Sequence, residues 1–265
     1  MDLELRGKAA IVTGGSRGLG KAVARELARE GVAVAIVARG REALEAAAAE
    51  IEEETGSQVV PIVADTRDDQ AVRAMVDTAA RTLGGIDILV NCAAPVGSSV
   101  AFALPDVTDE ALLGQIDVKV LGYLRCMRAV VPHMVRKRWG RIINISGLNA
   151  RKSESIIGSV RNVAVVALTK NAADELGPLG INVTVVHPGR TMTEMYSEQL
   201  DRDAAAQGVA REELERQRFK DNSLRRVLDA RDVAHVVTFL ASPKAVAING
   251  DVVAVGGGTP GVIFY

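Results

Sequence analysis

A glycine-rich loop near the start of the chain has the residue types and spacing to hold a phosphate. Residues 13–20 read Thr-Gly-Gly-Ser-Arg-Gly-Leu-Gly, after the apolar run at 9–12 and before a helical pattern. Glycines let the backbone approach a pyrophosphate, and the first amides of the helix point at its charge. We therefore predict a dinucleotide site, with contacts from Gly14, Ser16, Arg17, Gly18, Leu19 and Gly20.

Two arginines favour a phosphorylated dinucleotide. A site that selects NAD usually has an acidic residue after the second strand for the ribose hydroxyls, whereas a 2′-phosphate requires cations there. The second strand here ends at Val37-Ala38-Arg39, and Arg17 lies inside the glycine loop. We predict NADP(H) rather than NAD(H); the alternative is that both arginines are solvated surface charges.

Cysteine and histidine spacing indicates no metal site. Cys92 and Cys126 form no Cys-x-x-Cys pair and are too few for a disulfide framework, so two reduced thiols are expected. His133, His187 and His235 are scattered along the chain. His187, directly before Pro188, is a minor candidate acid, with a structural role at a strand end as the alternative.

Seven short apolar runs alternate with helical patterns and predict the elements that position these residues. The runs lie at 9–12, 32–37, 59–63, 86–90, 141–145, 181–186 and 252–255, and the main helical patterns at 20–30, 41–55, 69–83, 109–138, 163–176 and 232–240. Nearly continuous apolar runs are typical of parallel strands covered on both faces. We predict an α/β fold, a Rossmann-type doubly wound parallel sheet of seven strands, in a single domain spanning 1–265.

Residues 193–223 depart from this alternation. They form a charged helical stretch, which in such a fold would be a flap on the substrate side of the ligand crevice. A solvated surface helix is the alternative.

Bulk composition excludes several classes of protein. The 32 basic and 33 acidic residues nearly cancel, and no basic cluster lies among aromatics, which argues against nucleic acid as a partner. No signal pattern and no apolar stretch of about 20 residues is present, so no membrane partner is expected. We predict a cytoplasmic protein with a small-molecule substrate.

Further motifs resemble those of the short-chain dehydrogenase/reductase family over nearly the whole chain. Besides the loop at 13–20, these are Asn91-Cys-Ala-Ala94, Pro188-Gly189 with Thr193, and the glycine-rich end at 250–258. The resemblance implies that Asp65 contacts adenine and that Pro188, Gly189 and Thr193 fix the nicotinamide carboxamide. The cofactor contacts expected outside the glycine loop are Arg39, Asp65, Thr66, Asn91, Ala93, Asn162, Pro188, Gly189, Thr191 and Thr193.

The resemblance breaks down at the four positions where the family has its catalytic Asn, Ser, Tyr and Lys. In the family's frame these positions are Lys119, Gly147 with Ser146 beside it, Gly158 and Asn162. No tyrosine occurs between Tyr123 and Tyr196, so no shift of the alignment restores the proton donor. The chain is identified as a divergent member that lacks the Tyr-x-x-x-Lys motif.

We hypothesise that the family's Asn and Lys have exchanged places. Lys119 would then supply an ammonium and act as an acid, while Asn162 binds the nicotinamide ribose. Tyr123, four residues after Lys119, is a possible distant donor, and Ser146, Ser155 and Ser159 are other hydroxyls within reach. Alternatively, Lys119 snorkels or pairs with Asp117 or with a carboxylate across an oligomer interface, Tyr123 packs in the core, and the serines are loop caps.

The predicted function is that of an NADP(H)-binding oxidoreductase acting on a small or medium carbonyl or alcohol, with an atypical proton-transfer site. A catalytically degenerate nucleotide-binding or regulatory protein is one alternative, and a non-redox dehydratase or isomerase is another. The resemblance also implies a homotetramer or homodimer assembled through the helices at 109–138 and 159–176.

Overall fold

The computed structural model of the chain describes residues 1–94, 103–220, 222–260 and 263. The strands are β1 (Ala9–Thr13), β2 (Ala33–Ala38), β3 (Val59–Val63), β4 (Ile88–Asn91), β5 (Gly140–Ile145), β6 (Ile181–Pro188), β7 (Thr191–Met192), β8 (Leu228–Asp229) and β9 (Val252–Val255). The α-helices are α1 (Gly18–Arg29), α2 (Arg41–Thr55), α3 (Asp69–Leu83), α4 (Asp109–Ile116), α5 (Gly122–Lys137), α6 (Ile156–Leu176), α7 (Glu194–Gln207), α8 (Arg211–Phe219) and α9 (Ala230–Leu240). Short 3₁₀ turns lie at Leu104–Asp106, Leu148–Arg151, Gly177–Leu179 and Pro243–Ala245.

Seven of the strands form one parallel sheet in the order β3-β2-β1-β4-β5-β6-β9. This confirms the predicted doubly wound sheet in a single domain. The strand order reverses between β1 and β4, and in such sheets the ligand crevice opens at the carboxyl ends beside that point. The glycine loop follows β1, so the reversal places it at the crevice.

Apolar side chains cover both faces of the sheet. One buried cluster joins it to α1, α2 and α9 through residues such as Val23, Leu44 and Val237. The other joins it to α3, α5 and α6 through residues such as Val72, Val130 and Ala173. Burial on both faces explains why the strands show continuous apolar runs rather than alternation.

Three details differ from the sequence prediction. The helix expected at 109–138 is interrupted by a π-helical turn at Asp117–Leu121, which an apolar pattern does not reveal. The helix expected from 163 begins at Ile156, where Ser155 caps it by accepting a hydrogen bond from the Gly158 amide at 3.1 Å. The two short strands β7 and β8 form a second small sheet that was not predicted.

The predicted flap region contains α7 and α8. Leu200, Ala204 and Leu214 form a small apolar cluster between these two helices, so they pack on each other rather than lying singly in solvent. Among the described helices, none has both the length and the apolar character required to cross a membrane.

Candidate active site

The glycine loop packs tightly, and its glycines have steric reasons to be there. A Cβ on Gly20 would lie 2.2 Å from the Gly14 carbonyl oxygen, and one on Gly14 would lie 3.0 Å from the Cys92 carbonyl oxygen. Gly14 and Gly18 also have positive φ, at 71° and 57°. Helix α1 has no side-chain cap from its N-cap residue Arg17, so its first amides are directed at the crevice. This is the arrangement that a pyrophosphate requires.

Arg17 and Arg39, the two predicted phosphate ligands, are both exposed at this edge. Arg39 is close enough to Asp65 to contribute to lowering the pKa of that carboxyl group, although the hydrogen bond from Arg67 is the main cause. The Asp65–Arg67 ion pair has a 2.7 Å contact. The predicted adenine contact, Asp65, is therefore held by a neighbouring guanidinium, a feature that the sequence analysis missed.

The end of β4 is tied to the glycine loop through one hydroxyl. The Thr13 Oγ1 accepts hydrogen bonds from the amides of Cys92 at 3.0 Å and Ala93 at 3.2 Å. Asn91 is fully buried and donates from Nδ2 to the Asn144 Oδ1 at 2.9 Å, while its own Oδ1 has no partner in the described residues. Thr66, another predicted contact, is also buried, and its carbonyl oxygen accepts from Arg125.

The loop after β6 returns to the glycine loop. Thr191 Oγ1 donates to the Gly189 carbonyl oxygen at 3.0 Å, and Thr193 caps α7 by accepting from the Tyr196 amide at 3.2 Å. A Cβ on Gly18 would lie 3.6 Å from the Thr193 methyl group, so these segments are neighbours. Pro188 ends β6 at this edge. Predicted cofactor residues of the glycine loop, the end of β4 and the loop after β6 thus lie close together.

Lys119 lies in the π-helical turn and is only 4% exposed. Its Nζ donates to the Ser146 carbonyl oxygen, just after β5, at 2.9 Å. Burial, with a smaller contribution from the charge of Arg161, lowers the pKa of Lys119 to about 7. Asp117, the alternative partner, pairs instead with Arg125 at 2.8 Å. Lys119 is therefore a buried amine at the carboxyl edge of the sheet.

Ser146 links Lys119 to Asn162. While its carbonyl oxygen accepts from Lys119, its Oγ donates to the Asn162 carbonyl oxygen at 3.0 Å. A Cβ on Gly147 would lie 3.0 Å from the Asn162 Nδ2, so the amide side chain faces the same loop. The Asn162 Oδ1 is buried without a partner in the described residues. Three of the four predicted catalytic residues therefore meet around Ser146.

Tyr123, the fourth, occupies a different environment. It is fully buried in an apolar cluster with Val165 and Val185, and its hydroxyl donates to the Ile145 carbonyl oxygen at 2.9 Å. Burial raises the pKa of Tyr123 well above its usual value. This geometry favours the alternative of a packed core residue over that of a distant proton donor.

The remaining candidates have structural positions. Ser155 caps α6, and the Ser159 hydroxyl donates to the Lys152 carbonyl oxygen at 2.7 Å. His187 is buried at the end of β6, and burial lowers its pKa to about 4, which makes it neutral at pH 7. The described residues contain no cluster of His, Cys, Asp or Glu suited to a metal ion.

Comparison with known proteins bears on what this arrangement does. The sequence model of the family described as short chain dehydrogenase matches residues 8–204. The chain belongs to this family.

Several of its members resemble the chain over nearly its whole length. The short-chain reductase protein NovJ of Streptomyces niveus is 35% identical over 252 residues, which cover 95% of this chain and 93% of NovJ. The L-sorbose reductase of Gluconobacter frateurii, solved with NADPH and L-sorbose, superposes with a TM-score of 0.93 at 27% identity and covers 99% of this chain and 100% of its own. An NAD⁺-bound xylitol dehydrogenase superposes with a TM-score of 0.86 at 29% identity, covering 96% and 100%. The chain is thus an oxidoreductase by family.

The site of this short-chain dehydrogenase fits a dinucleotide. Neighbouring backbone at Gly14 and Gly20 leaves no room for side chains, and Arg17 does not cap α1, although the Gly18 amide at its start donates to the Glu194 carboxylate. Solved family members contain either NADPH or NAD⁺, so the choice between them depends on this chain's own residues.

Two residues of the site were missed from the sequence. Arg161 is buried next to Asn162 on α6, and Glu194 Oε2 accepts a hydrogen bond from the Gly18 amide at 3.0 Å. A single charged residue within the stretch Ile156-Ile-Gly-Ser-Val-Arg-Asn-Val163 was the available signal for Arg161. Nothing in the sequence indicated Glu194, because its partner is 176 residues away.

Proposed function

We propose that this chain is an NADP(H)-dependent oxidoreductase that interconverts a small or medium carbonyl compound and its alcohol, with Lys119 as the residue that moves the proton. The observation that carries this proposal is the buried Lys119 amine at the carboxyl edge of the sheet, beside the loops that would hold the dinucleotide. A bound nicotinamide supplies or accepts the hydride in such chemistry.

The glycine loop and the loop after β6 would hold the dinucleotide. Gly14, Gly18 and Gly20 permit close approach of the backbone, and Arg17 and Arg39 provide exposed cations for a 2′-phosphate. Since no carboxylate follows β2, ribose hydroxyls have no acidic partner at that point. Both features support NADP(H) over NAD(H).

Lys119 has the protonation behaviour that the reaction requires. With a pKa of about 7, its ammonium and amine forms coexist at neutral pH. The ammonium can donate a proton to a carbonyl oxygen during reduction, and the amine can accept one from an alcohol during oxidation. The family frame gives no tyrosine at Gly158, so this chain is proposed to be a divergent member with an atypical proton-transfer site.

Asn162 complements this role. Its Oδ1 is buried without a partner in the described residues, and an acceptor so placed fits a ribose hydroxyl. Ser146 holds both residues in position through its carbonyl oxygen and its hydroxyl. The Tyr123 hydroxyl donates to the carbonyl oxygen of Ile145, the residue before Ser146, and so helps to hold the end of β5.

The flap is proposed to cover the substrate. Helix α7 begins next to the glycine loop, through Thr193 and Glu194, and packs on α8. The start of α7 lies at the carboxyl edge of the sheet, which is where open α/β folds bind their ligands.

A second copy of the chain is proposed to cover an apolar surface on α4 and α6. Leu113, Ile156, Val160 and Val163 are between 40% and 64% exposed on these two helices. Exposed apolar side chains grouped in this way mark an interaction surface. A homotetramer or homodimer would bury them, and light scattering of wild type against Val160→Glu tests it: a shift to smaller species supports the proposal, and an unchanged mass, or a wild-type monomer, contradicts it.

The experiment that tests the function monitors NADPH at 340 nm across a panel of carbonyl compounds, with NADH in parallel. Turnover with NADPH that is lost in Lys119→Met supports the proposal. Tight NADPH binding without turnover of any compound would indicate a degenerate or regulatory protein. Conversion of a substrate with no change in NADPH would indicate a dehydratase or isomerase.

A further inference from the structure

Two basic side chains, Lys119 and Arg161, lie close together in the buried part of the site. Besides burial, the charge of Arg161, which is only 5% exposed, lowers the pKa of Lys119, and the charge of Lys119 lowers the pKa of His187. No carboxylate of the described residues is among the groups that act on Lys119, Arg161 or His187. Residues 95–102 contain no acidic side chain either.

Nearby acidic residues are occupied elsewhere. Asp117 pairs with Arg125 at 2.8 Å, and Glu154 pairs with Lys152 at 3.2 Å. A buried cation without a counter-charge is costly, and proteins retain such groups when a ligand supplies the missing charge. The cluster therefore calls for an anion.

The Arg161 guanidinium has a donor, Nε, that is without a partner in the described residues and can bind an anion. Within the described residues its guanidinium makes one hydrogen bond, from Nη1 to the Gln115 Oε1, and its buried Nε has no partner. Gln115 lies four residues before Lys119 on the same helical segment, so Arg161 is held on the Lys119 side of α6. The Nε and Nη2 edge of arginine matches a carboxylate with two parallel hydrogen bonds.

We propose that the substrate carries a carboxylate close to its reacting carbonyl, making it a small oxo acid or the corresponding hydroxy acid, and that Arg161 binds this carboxylate. Because the proposed function assigns the reacting carbonyl, this assignment rests on it. The carboxylate is unchanged by the reaction, so Arg161 is a binding residue. The proton still moves at Lys119 Nζ and the hydride still comes from the dinucleotide.

The test compares small 2-oxo and 3-oxo acids with their methyl esters, using NADPH and the full-length protein. We expect kcat/KM to be at least about tenfold higher for an acid than for its ester, since a charge-assisted pair contributes a few kcal/mol. Arg161→Met should remove this preference mainly through KM; because the charge of Arg161 also acts on the pKa of Lys119, acids and esters are compared at the pH optimum of each protein. Equal rates for acids and esters, or an equal loss on both in Arg161→Met, would overturn the proposal.

Further variants separate binding from folding. Gln115→Glu keeps Arg161 but supplies an internal carboxylate, and we expect the same loss of acid preference. Arg73→Met is the matched control, because Arg73 is exposed and pairs with Asp69 on α3. Circular dichroism checks that each variant folds. An intact acid preference in Gln115→Glu would contradict the role of Arg161.

Binding without turnover separates this inference from the proposed function. Calorimetry with a hydroxy acid on the NADP⁺-loaded protein should show binding that Arg161→Met weakens. If acids bind in this way but nothing is turned over, the oxidoreductase proposal fails and the carboxylate site stands. If neutral ketones are reduced and no acid binds, the carboxylate site fails and the oxidoreductase proposal stands. Equal competition by inorganic phosphate would contradict a carboxylate-specific site.

Discussion

The side-chain nitrogen of Lys119 lies 2.9 Å from the carbonyl oxygen of Ser146. The hydroxyl of the same serine donates to the Asn162 carbonyl oxygen at 3.0 Å. Ser146, which directly follows β5, therefore holds both Lys119 and Asn162, which lie in different helical segments. Because Lys119 and Asn162 are both buried, small changes in either residue should alter activity and stability together.

Replacing Lys119 by Met should remove turnover while leaving the dinucleotide bound. Loss of a positioned acid or base reduces rates by about 10²–10⁴-fold, and we expect kcat to fall within that range. The Kd for NADPH, measured by fluorescence, should change little. Lys170→Met removes an exposed lysine from α6 and should keep wild-type kcat. Wild-type turnover in Lys119→Met would exclude Lys119 as the proton-transfer residue.

The rate of each direction should depend on pH around the pKa of Lys119. Because that pKa is lowered to about 7, the ammonium is lost as pH rises through 7. Reduction, which uses the ammonium, should slow above pH 7, and oxidation, which uses the amine, should slow below it. Initial rates in both directions between pH 5.5 and 9 measure this. Parallel profiles for the two directions would contradict the assignment.

Stability should depend on the same group. Between about pH 7 and 10.5 the unfolded chain keeps a proton on Lys119 that the folded chain has lost, so the free energy of unfolding rises with pH across this window. Lys119→Met lacks this pH-dependent contribution. Compared with wild type, its free energy of unfolding should therefore be most favourable below pH 7. Urea unfolding of both proteins at pH 6.5 and 9.5 tests this, and an equal difference at the two pH values would be the contrary result.

Arg39→Ala should weaken NADPH binding about tenfold or more while leaving NADH binding nearly unchanged, because only NADPH has the 2′-phosphate. Arg41→Ala is a suitable control, since Arg41 is exposed and pairs with Glu45 at 3.2 Å. Fluorescence titration with both nucleotides measures the ratio. Equal losses for NADPH and NADH would contradict the predicted preference.

Glu194→Gln should tighten NADPH binding severalfold. The Glu194 carboxylate accepts from the Gly18 amide at the start of α1, where a pyrophosphate would bring like charge. The same change should slightly lower the Tm of the nucleotide-free protein, because a favourable charge at the helix start is lost. Glu198→Gln, also exposed on α7, serves as the control. Weaker NADPH binding in Glu194→Gln would contradict the prediction.

Introducing the family pattern with Gly158→Tyr and Asn162→Lys should not raise carbonyl reductase activity above that of wild type and should destabilise the protein. A Cβ at Gly158 would lie 3.1 Å from the Ser155 Oγ that caps α6 and 3.2 Å from the Asn149 Nδ2. Loss of a cap costs about 1 kcal/mol. Ala167→Tyr, at an exposed position of α6, is the control for the added ring. A gain of carbonyl reductase activity without loss of Tm would show that the pocket is intact.

The sheet and its order of elements could be predicted because buried parallel strands such as β1 and β6 leave continuous apolar runs. The glycine loop could be predicted because its steric requirements fix residue types at a fixed spacing. Lys119 was identified only by its place in the family frame, and its partner Ser146 is 27 residues away. The burial of Tyr123 in an apolar cluster could not be predicted, because its helical spacing from Lys119 does not reveal which side chains face the core. Arg161 and Glu194 were missed because their contacts join distant segments.

The π-helical turn at Asp117–Leu121 has a consequence for sequence length. Such a turn contains one more residue than an α-helical turn, and each residue of an α-helix advances it by about 100°. Shortening the turn by one residue would rotate Gln115 and everything before it away from Arg161, while Tyr123 stayed anchored to the Ile145 carbonyl oxygen. The number of residues in this segment, and not only their identity, thus sets which side chains can share the crevice.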